Sequence, residues 1–329
     1  MDIPPHRTVA RALAPGGPDT IEVGSEDLPP PGAGEVLVEV AAVGLNHADT
    51  LIRSGGYVVT RPFPHPVGLE CAGTVVATGP GTTLTAGTRV CGAGITGACA
   101  SHVIVPADRL AVVPPGLGLE QAAGLAHAGA AAGALARVWP LENRTAVVWG
   151  AAGAVGRLLV AILAERGADV VGVATGARGT AVRALGAARV VDRAAEDVAA
   201  AVRAHTGGRG ADAVFDPIGA ATFTTSLGLL APRGCLITYG ELSGPVPDAG
   251  LHRLYTAGGV FLTKFNAAAY VSGYADVVGL VTAALHLAAR RPEAVSEVAA
   301  RFPLRRTADG FRTLEAGVSG KVLVLPGRG

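Results

Sequence analysis

Three glycines stand at fixed offsets in the segment V-V-W-G-A-A-G-A-V-G, which spans residues 147–156. They occupy positions 150, 153 and 156, directly after a run of apolar residues that predicts a buried strand. Glycine lets the backbone turn sharply and approach a ligand, and a helix that begins there offers free N–H groups. The spacing A-x-G-x-x-G, with Ala151 at its first position, therefore predicts a pyrophosphate-binding turn. The alternative is that these glycines only serve close packing of a helix on a strand.

The residues after the second predicted strand, A-T-G-A-R at 174–178, indicate which dinucleotide this turn binds. NAD sites usually place an Asp or Glu about 20 residues after the glycines, where it accepts from the ribose. That position has no carboxylate here; Arg178 stands nearby instead, and Arg193 follows the third strand. Two guanidinium groups beside the ribose favour a 2′-phosphate, which predicts NADPH as the cofactor. The alternative is that both arginines are solvated surface residues, since arginine is frequent in this chain.

The elements that must position these residues differ along the chain. The first 115 residues or so contain short strands between Gly and Pro clusters, and residues 35–42 alternate with period two. From residue 144 onward, apolar strands alternate with helices, which predicts a parallel sheet covered on both faces. A helix at 273–290 and a strand at 321–325 are predicted to rejoin the first domain. The predicted fold class is α/β, with a β-rich domain (1–120 and 266–329) and a Rossmann-type doubly wound parallel sheet (121–265).

The composition argues against several classes of partner. The formal net charge is +1 and only 16% of the residues are charged, so we expect no surface for nucleic acid. No stretch of about 18 apolar residues lacks charges or helix breakers, and the N-terminus lacks a signal-peptide pattern. These features predict a cytoplasmic protein that binds no membrane. The four cysteines form no C-x-x-C pair, and Cys71 is predicted to be a core thiol.

The sequence resembles the zinc-free quinone oxidoreductase branch of the medium-chain dehydrogenase/reductase superfamily over nearly its whole length. The resemblance implies a GroES-like β-rich domain with an inserted Rossmann domain. It also implies a homodimer, in which the strand at 260–263 pairs across a two-fold axis at the sheet edge. The segments that carry it are V-G-L-N-H-A-D-T-L-I-R-S-G-G-Y (43–57), G-L-E-C-A-G-T-V (68–75), the glycine segment, R-A-L-G-A (183–187), F-D-P-I-G (215–219), L-L-A-P-R-G (229–234) and S-G-P-V (243–246).

The resemblance also assigns residues to the parts of the cofactor. By this resemblance, the pyrophosphate is bound by Ala152, Gly153, Ala154 and Val155. The 2′-phosphate is bound by Ala174, Thr175, Arg178 and Arg193. The residues that the resemblance places at the nicotinamide are Asn46, Tyr239, Gly240, Leu242, Leu262 and Lys264.

No metal site is expected from the same resemblance. Zinc-dependent relatives carry a cysteine where this chain has Asn46 and a histidine where it has Leu69, and they contain a four-cysteine lobe that is absent here. A zinc site needs three or four nitrogen or sulfur ligands in tight geometry, which Cys71, Cys91 and His47 do not supply.

The reaction that the resemblance implies is reduction of a quinone or a conjugated C=C bond by hydride transfer from NADPH. Hydride addition at the β carbon leaves negative charge on the carbonyl oxygen, which a donor must stabilise. Tyr57 and Asn46 lie where the family places polar groups over nicotinamide and substrate, and both are predicted as catalytic residues. The phenol of Tyr57 can donate a hydrogen bond and a proton, and the amide of Asn46 can orient a ligand. The alternatives are a Tyr57 that only lines the pocket and an Asn46 that only caps a turn; Asp49 is predicted to be a helix cap or local hydrogen-bond partner.

Two other functions are compatible with the sequence. One is a tailoring enzyme of secondary metabolism, which reduces an enone or assists a cyclisation in one elaborate substrate. The small residues at 128–134 suit a bulky substrate if they line the cleft. The other is an NADPH-binding protein without turnover. Consumption of NADPH with a simple quinone distinguishes the quinone or enone reductase from both of these alternatives.

Overall fold

A computed structural model describes residues 3–56 and 61–327. The strands are β1 (His6–Ala12), β2 (Ile21–Asp27), β3 (Glu35–Leu45), β4 (His65–Pro66), β5 (Glu70–Thr78), β6 (Arg89–Ala93), β7 (His102–Pro106), β8 (Ala111–Val112), β9 (Thr145–Val148), β10 (Asp169–Ala174), β11 (Arg189–Asp192), β12 (Ala211–Asp216), β13 (Leu230–Thr238), β14 (Phe261–Lys264), β15 (Val298–Pro303) and β16 (Lys321–Leu325). The helices are α1 (His47–Ser54), α2 (Leu119–Leu135), α3 (Ala154–Glu165), α4 (Gly179–Ala184), α5 (Val198–His205), α6 (Phe223–Gly228), α7 (Leu251–Thr256), α8 (Tyr274–Arg290) and α9 (Thr307–Glu315).

The chain divides into two compact units. Unit 1 comprises Met1–Ala130, Gly273–Arg290 and Val295–Gly329, and unit 2 comprises Ala131–Ser272 and Arg291–Ala294. The sequence analysis placed the first boundary at residue 121, whereas the division falls inside α2, which runs without a break over 17 residues. Among the described residues, no helix has the length and apolar character needed to cross a membrane.

Unit 1 is built on β-sheets. Its larger sheet has the order β15-β16-β3-β5-β6-β8, with β7 also paired to β3, and only the β15–β16 pair is parallel among the described strands of this sheet. Strand β3 contributes Val36, Val38 and Val40 to the buried core, where Phe311 of α9 also lies. A smaller antiparallel sheet has the order β2-β1-β4. Because β3 leads directly into α1, the junction between them lies beside the ends of β5 and β16.

Unit 2 contains, among the described residues, a six-stranded parallel sheet of order β11-β10-β9-β12-β13-β14. Numbered within the unit this order is 3-2-1-4-5-6, which is that of the Rossmann fold. Strands such as β9 (T-A-V-V) are buried along their whole length, as expected of a parallel sheet covered on both faces. The predicted fold class, a β-rich domain plus a Rossmann-type parallel sheet, is confirmed. The order of the chain reverses between β9 and β12, which is where such sheets bind nucleotides.

Candidate functional site

The glycine segment forms the turn between β9 and α3 in unit 2. Gly150 adopts a φ of 61°, and Gly153 is the N-cap residue of α3. A Cβ on Gly156 would lie 2.2 Å from the carbonyl oxygen of Gly150, so only glycine lets the helix pack against this turn. The predicted pyrophosphate residues are accessible to a ligand: Gly153 is exposed, and Ala152, Ala154 and Val155 are half-buried.

A buried arginine that the sequence analysis missed fixes this turn. The Nε atom of Arg157 donates to the carbonyl oxygen of Ala152 at 2.9 Å, and a terminal nitrogen donates to that of Glu293 at 3.0 Å. The guanidinium therefore holds the Ala152 peptide in one orientation at the start of the predicted pyrophosphate site. Arginine is mostly a surface residue, so its type and position alone do not predict a buried role here.

The loop after β10 brings the predicted 2′-phosphate residues together. Arg193 Nε lies 3.4 Å from Thr175 Oγ1, and the backbone N–H of Arg193 donates to the carbonyl oxygen of Ala174 at 3.3 Å. Arg178 follows in the same loop, and both arginines are exposed. The exposed guanidinium of Arg193 thus lies beside a threonine hydroxyl, with a second arginine in the same loop, which is suitable chemistry for a 2′-phosphate.

One carboxylate that the sequence analysis did not predict stands beside this loop. Asp192 Oδ2 accepts from the N–H of Gly176 at 2.9 Å, and its Oδ1 accepts from that of Ala194 at 2.9 Å. The hydrogen bonds from Ala194 and Gly176 lower the pKa of Asp192. Because one oxygen accepts from the loop after β10 and the other from the segment after β11, this carboxylate fixes both segments that carry the arginines.

Tyr239, Gly240 and Leu242 form the loop after β13, which packs on the D-P-I-G turn after β12. The N–H of Tyr239 donates to the carbonyl oxygen of Asp216 at 2.9 Å, and that of Leu242 donates to Pro217 at 3.3 Å. A Cβ on Gly240 would lie 2.4 Å from the Pro217 oxygen, so glycine is required for this approach. Burial raises the pKa of the Tyr239 phenol, which therefore stays protonated.

The D-P-I-G turn is organised by the buried carboxylate of Asp216. Its Oδ2 accepts from the hydroxyls of Thr222 at 2.7 Å and Ser226 at 2.6 Å, and its Oδ1 accepts from the N–H of Ile218 at 2.8 Å. Such charge-assisted bonds fix the surface on which the Tyr239 loop rests.

Leu262 and Lys264 lie on β14, the last strand in the sheet order. Leu262 pairs in register with Leu236, and Lys264 Nζ donates to Glu241 Oε1 at 2.7 Å. This exposed ion pair contributes at most about 1 kcal/mol, but it links the end of β14 to the loop that carries Gly240.

In unit 1, Asn46 lies between β3 and α1 in a group of polar side chains that we call the Asn46 cluster: Asn46, Asp49, Glu70 and Lys321. Asn46 Nδ2 donates to Glu70 Oε1 at 2.9 Å. Lys321 Nζ donates to Asn46 Oδ1 at 2.7 Å and to Glu70 Oε1 at 2.5 Å. Glu70 is 0% exposed and Lys321 is 6% exposed, so this ion pair is almost entirely removed from solvent.

Two further contacts complete the surroundings of the Asn46 cluster. Asp49 Oδ2 accepts from the backbone N–H of Asn46 at 2.8 Å, which confirms Asp49 as a local hydrogen-bond partner at the start of α1. Burial, together with the negative charge of Glu70, raises the pKa of Asp49 to about 7. The backbone N–H of His127 donates to Glu70 Oε2 at 2.5 Å, and burial lowers the pKa of the His127 imidazole.

Comparisons with known proteins agree with this architecture. Residues 32–115 match the alcohol dehydrogenase GroES-like domain, and residues 154–280 match the zinc-binding dehydrogenase domain. A 2-haloacrylate reductase of Burkholderia sp is 34% identical, over 94% of this chain and 96% of that protein. A quinone oxidoreductase of Pseudomonas aeruginosa is 31% identical, over 94% of this chain and 97% of that protein. The structure of Escherichia coli quinone oxidoreductase complexed with NADPH has a TM-score of 0.85 and 28% identity, covering 97% of this chain and 100% of that one.

The chain belongs to the quinone oxidoreductase family of medium-chain dehydrogenases/reductases. The family predicted from the sequence is confirmed. One matched domain is named for zinc binding, yet the residues of this family member do not fit a zinc ion. The amide oxygen of Asn46 faces the Lys321 ammonium, Leu69 has no ligand atom, and burial raises the pKa of Cys71 to about 12. Among the described residues, no three His, Cys, Asp or Glu side chains are grouped so that they could hold a metal.

The residues predicted for the site and the residues that the structure describes there do not fully coincide. Tyr57 lies outside the described residues. Glu70 and Lys321 were missed as functional candidates because no local pattern joins residues 251 positions apart. One signal was present: Lys321 is one of two lysines among 27 basic residues, in a chain that otherwise uses arginine.

Proposed function

We propose that this oxidoreductase reduces a C=C bond conjugated to a carbonyl group, or a quinone, with NADPH and without zinc. The residues in the loop after β10 support NADPH as the cofactor. There, Arg178 follows Thr175 in the chain and Arg193 reaches Thr175 from the segment after β11, while both carboxylate oxygens of Asp192 accept from the backbone. A 2′-phosphate meets cationic groups in this loop, whereas an NAD site would offer a carboxylate to the ribose.

The chemistry shared by the relatives supports the substrate class. A quinone contains C=C bonds conjugated to carbonyl groups, and a 2-haloacrylate contains one conjugated to a carboxyl group. In each, a carbon two bonds from the carbonyl carbon is electron-poor, and oxygen takes up charge when hydride arrives. We therefore propose an activated C=C bond or a quinone ring as the group that this protein reduces.

The chemistry that bound NADPH supplies is hydride donation to the β carbon. We assign the accompanying proton to Tyr57, whose phenol donates to the oxygen on which negative charge develops. One NADPH and one proton are consumed for each double bond reduced. Asn46 orients the ligand, and the α3 N-terminus with Ala152–Val155 binds the pyrophosphate. The backbone near Tyr239, Gly240, Leu242, Leu262 and Lys264 borders the nicotinamide.

A panel of simple acceptors tests this function. We expect the protein to oxidise NADPH with a small quinone, an enone or 2-chloroacrylate, with one NADPH consumed per product. Mass spectrometry of the enone or acrylate product should show the gain of two hydrogens. Binding of NADPH without oxidation by any of the three acceptors would contradict the proposal, and would favour the elaborate-substrate or non-catalytic alternatives.

We also propose a homodimer in the cytoplasm, formed at the sheet edge that β14 provides. Phe261 is 55% exposed on this strand and Tyr255 on the preceding α7 is 78% exposed. An edge strand with exposed aromatic side chains is prone to pair with another chain, and a two-fold axis lets the same edge serve both copies. Light scattering should give twice the chain mass for the parent and a smaller mass for Phe261→Lys; a monomeric parent would refute the dimer.

A further inference from the structure

We propose that the buried ion pair of Glu70 and Lys321 is a positioning device for Asn46. It fixes the Asn46 amide in one orientation, so that a ligand meets an acceptor there and never a donor. This inference rests on the proposed function, because it concerns what Asn46 offers to the cofactor or substrate. Glu70 and Lys321 are thus positioning residues, which act through Asn46.

The charges on the two neighbours decide which way the amide points. A carboxylate only accepts hydrogen bonds and an ammonium only donates them. The amide nitrogen of Asn46 must therefore face Glu70 Oε1, at 2.9 Å, and the amide oxygen must face Lys321 Nζ, at 2.7 Å. A flipped amide would place N–H groups against the ammonium and oxygen against the carboxylate. An asparagine between neutral neighbours would lack this constraint.

The hydrogen bonds of the amide leave one position for a ligand. Of the two N–H groups on Asn46 Nδ2, one is directed at Glu70 Oε1 and the other at the carbonyl oxygen of Gly44, at 3.3 Å. The amide oxygen accepts from Lys321 and also faces the backbone N–H of Asp49 in the capping box of α1; that N–H donates to the Asn46 carbonyl oxygen at 3.0 Å. Asn46 is half-buried, so a ligand can reach the part of the amide oxygen that these contacts leave open. The group it recognises is an N–H or O–H donor, such as a carboxamide N–H or a ribose hydroxyl.

The sheet builds this arrangement from three adjacent strands. The order β16-β3-β5 places Lys321 and Glu70 on strands that flank β3, and Asn46 follows the last residue of β3. A Cβ on Gly44 would lie 2.3 Å from Glu70 Oε1 and 2.7 Å from Lys321 Cε. The backbone N–H of His127 holds the second oxygen of Glu70 at 2.5 Å. Each partner of Asn46 is therefore fixed before a ligand binds.

Stability alone does not account for the pair. A buried ion pair often contributes no more to stability than apolar residues of similar volume would, because both charges must leave water. The best-attested use of such pairs is to specify one arrangement among several. Here the arrangement specified is the donor and acceptor sense of one amide.

The first experiment uses the chain's three asparagines: Asn46, Asn143 and Asn266. Asn143 and Asn266 are exposed, so they are internal controls in a protein labelled with ¹⁵N at asparagine. We expect the Asn46 side-chain NH₂ to exchange with water at least about tenfold more slowly than the other two. Its signals are assigned with Asn46→Ala. Exchange as fast as that of Asn266 in the parent protein would overturn the proposal without any further variant.

The second experiment tests whether the pair acts through Asn46. The variant Glu70→Gln/Lys321→Met removes both charges at once, so no unpaired charge stays buried. The Glu70→Gln change places a second amide, which both donates and accepts, beside the Asn46 amide, whose orientation is then no longer enforced. Calorimetry should show about tenfold weaker NADPH binding than in the parent, but no further loss when the same two changes are made in Asn46→Ala. An equal loss in both backgrounds, or none in either, would overturn the proposal.

The two experiments separate this inference from the proposed function. If the parent does not bind NADPH, the proposed function fails. The exchange rate of the Asn46 NH₂ in the free protein then still decides whether the amide is held as described.

Discussion

Lys321 Nζ lies 2.5 Å from Glu70 Oε1, although the two residues are 251 positions apart and both are almost excluded from solvent. Removing one partner of a buried pair leaves an uncompensated charge, which typically costs about 3–5 kcal/mol. We therefore expect Lys321→Met to lower the free energy of unfolding of unit 1 by about that amount. Urea denaturation followed by circular dichroism measures it.

The double variant Glu70→Gln/Lys321→Met is the matched control. Because it buries no net charge, its urea midpoint should lie closer to that of the parent than the midpoint of Lys321→Met does. A single variant that is as stable as the double variant would show that solvent reaches the pair.

The Glu70–Lys321 contact is an example of a feature that could not be predicted from the sequence. Asn46 is predictable from its place in a motif, and Asp49 from the preference of helix starts for acidic residues. Glu70 and Lys321 come into contact because β5 and β16 both flank β3. Local sequence patterns do not predict the order of strands across a sheet. Asp192 was missed for the same reason: it reaches the loop after β10 from a neighbouring strand.

The fold itself was predictable to different degrees in the two units. Strands β10, β11, β12 and β16 begin and end where their apolar runs predict, because turn residues bound each run. Strands β1 and β2 were missed. In β1, H-R-T-V-A-R-A, arginines alternate irregularly with small and apolar residues, so the segment lacks a clear strand pattern. Its strand conformation is explained by its antiparallel pairing with β2. Helix α6 is short, because β13 begins at Leu230, directly after it.

Asp49 should make stability depend on pH. Burial raises the pKa of Asp49 to about 7 from its ordinary value of 3.8, so the folded state binds a proton that the unfolded state has lost between these values. Its contribution is present below about pH 4 and is lost as pH rises to about 7, by at most about 1.4 kcal/mol per pH unit. We expect Asp49→Asn to gain stability relative to the parent as pH rises from about 5 to about 7, in urea denaturation at each pH.

The pH comparison needs one control. The imidazole of His127, whose pKa burial lowers, also contributes to the pH profile, but it is present in both proteins and cancels in their difference. Asp108 is exposed, so the difference between Asp108→Asn and the parent should not change with pH. If the difference for Asp49→Asn is equally flat, Asp49 is ionised throughout this range.

NADPH should bind more tightly than NADH because of Arg178 and Arg193. A hydrogen bond to a charged group contributes about 1.5–3 kcal/mol, so Arg178→Ala/Arg193→Ala should weaken NADPH binding roughly 10- to 100-fold or more. NADH lacks the 2′-phosphate, and its affinity should change only slightly. Calorimetric titration with both cofactors measures this, with Arg203→Ala as an exposed control in the same unit. Equal affinities of the parent for the two cofactors would contradict the assignment.

The protein should contain far less than one zinc ion per chain. The positions where zinc-dependent relatives carry cysteine and histidine hold Asn46 and Leu69, and the Lys321 ammonium occupies the surroundings of Asn46. Because Lys321 already donates to the Asn46 oxygen and to Glu70 Oε1, neither atom is offered to a metal ion. Elemental analysis of protein purified without a metal-affinity tag tests this, and a stoichiometric amount of zinc would refute it.

Tyr57→Phe should slow the chemical step while leaving NADPH affinity unchanged. The loss of one donor to a developing oxyanion costs on the order of 3 kcal/mol, or about a hundredfold in rate, and phenylalanine differs from tyrosine only by the hydroxyl. Single-turnover oxidation of NADPH measures the step, with Tyr255→Phe as the control. A rate within a few-fold of the parent would remove Tyr57 as the donor. Asn46 could not replace it, because the Glu70–Lys321 pair leaves that amide only an acceptor, so a backbone N–H or a water molecule would have to serve.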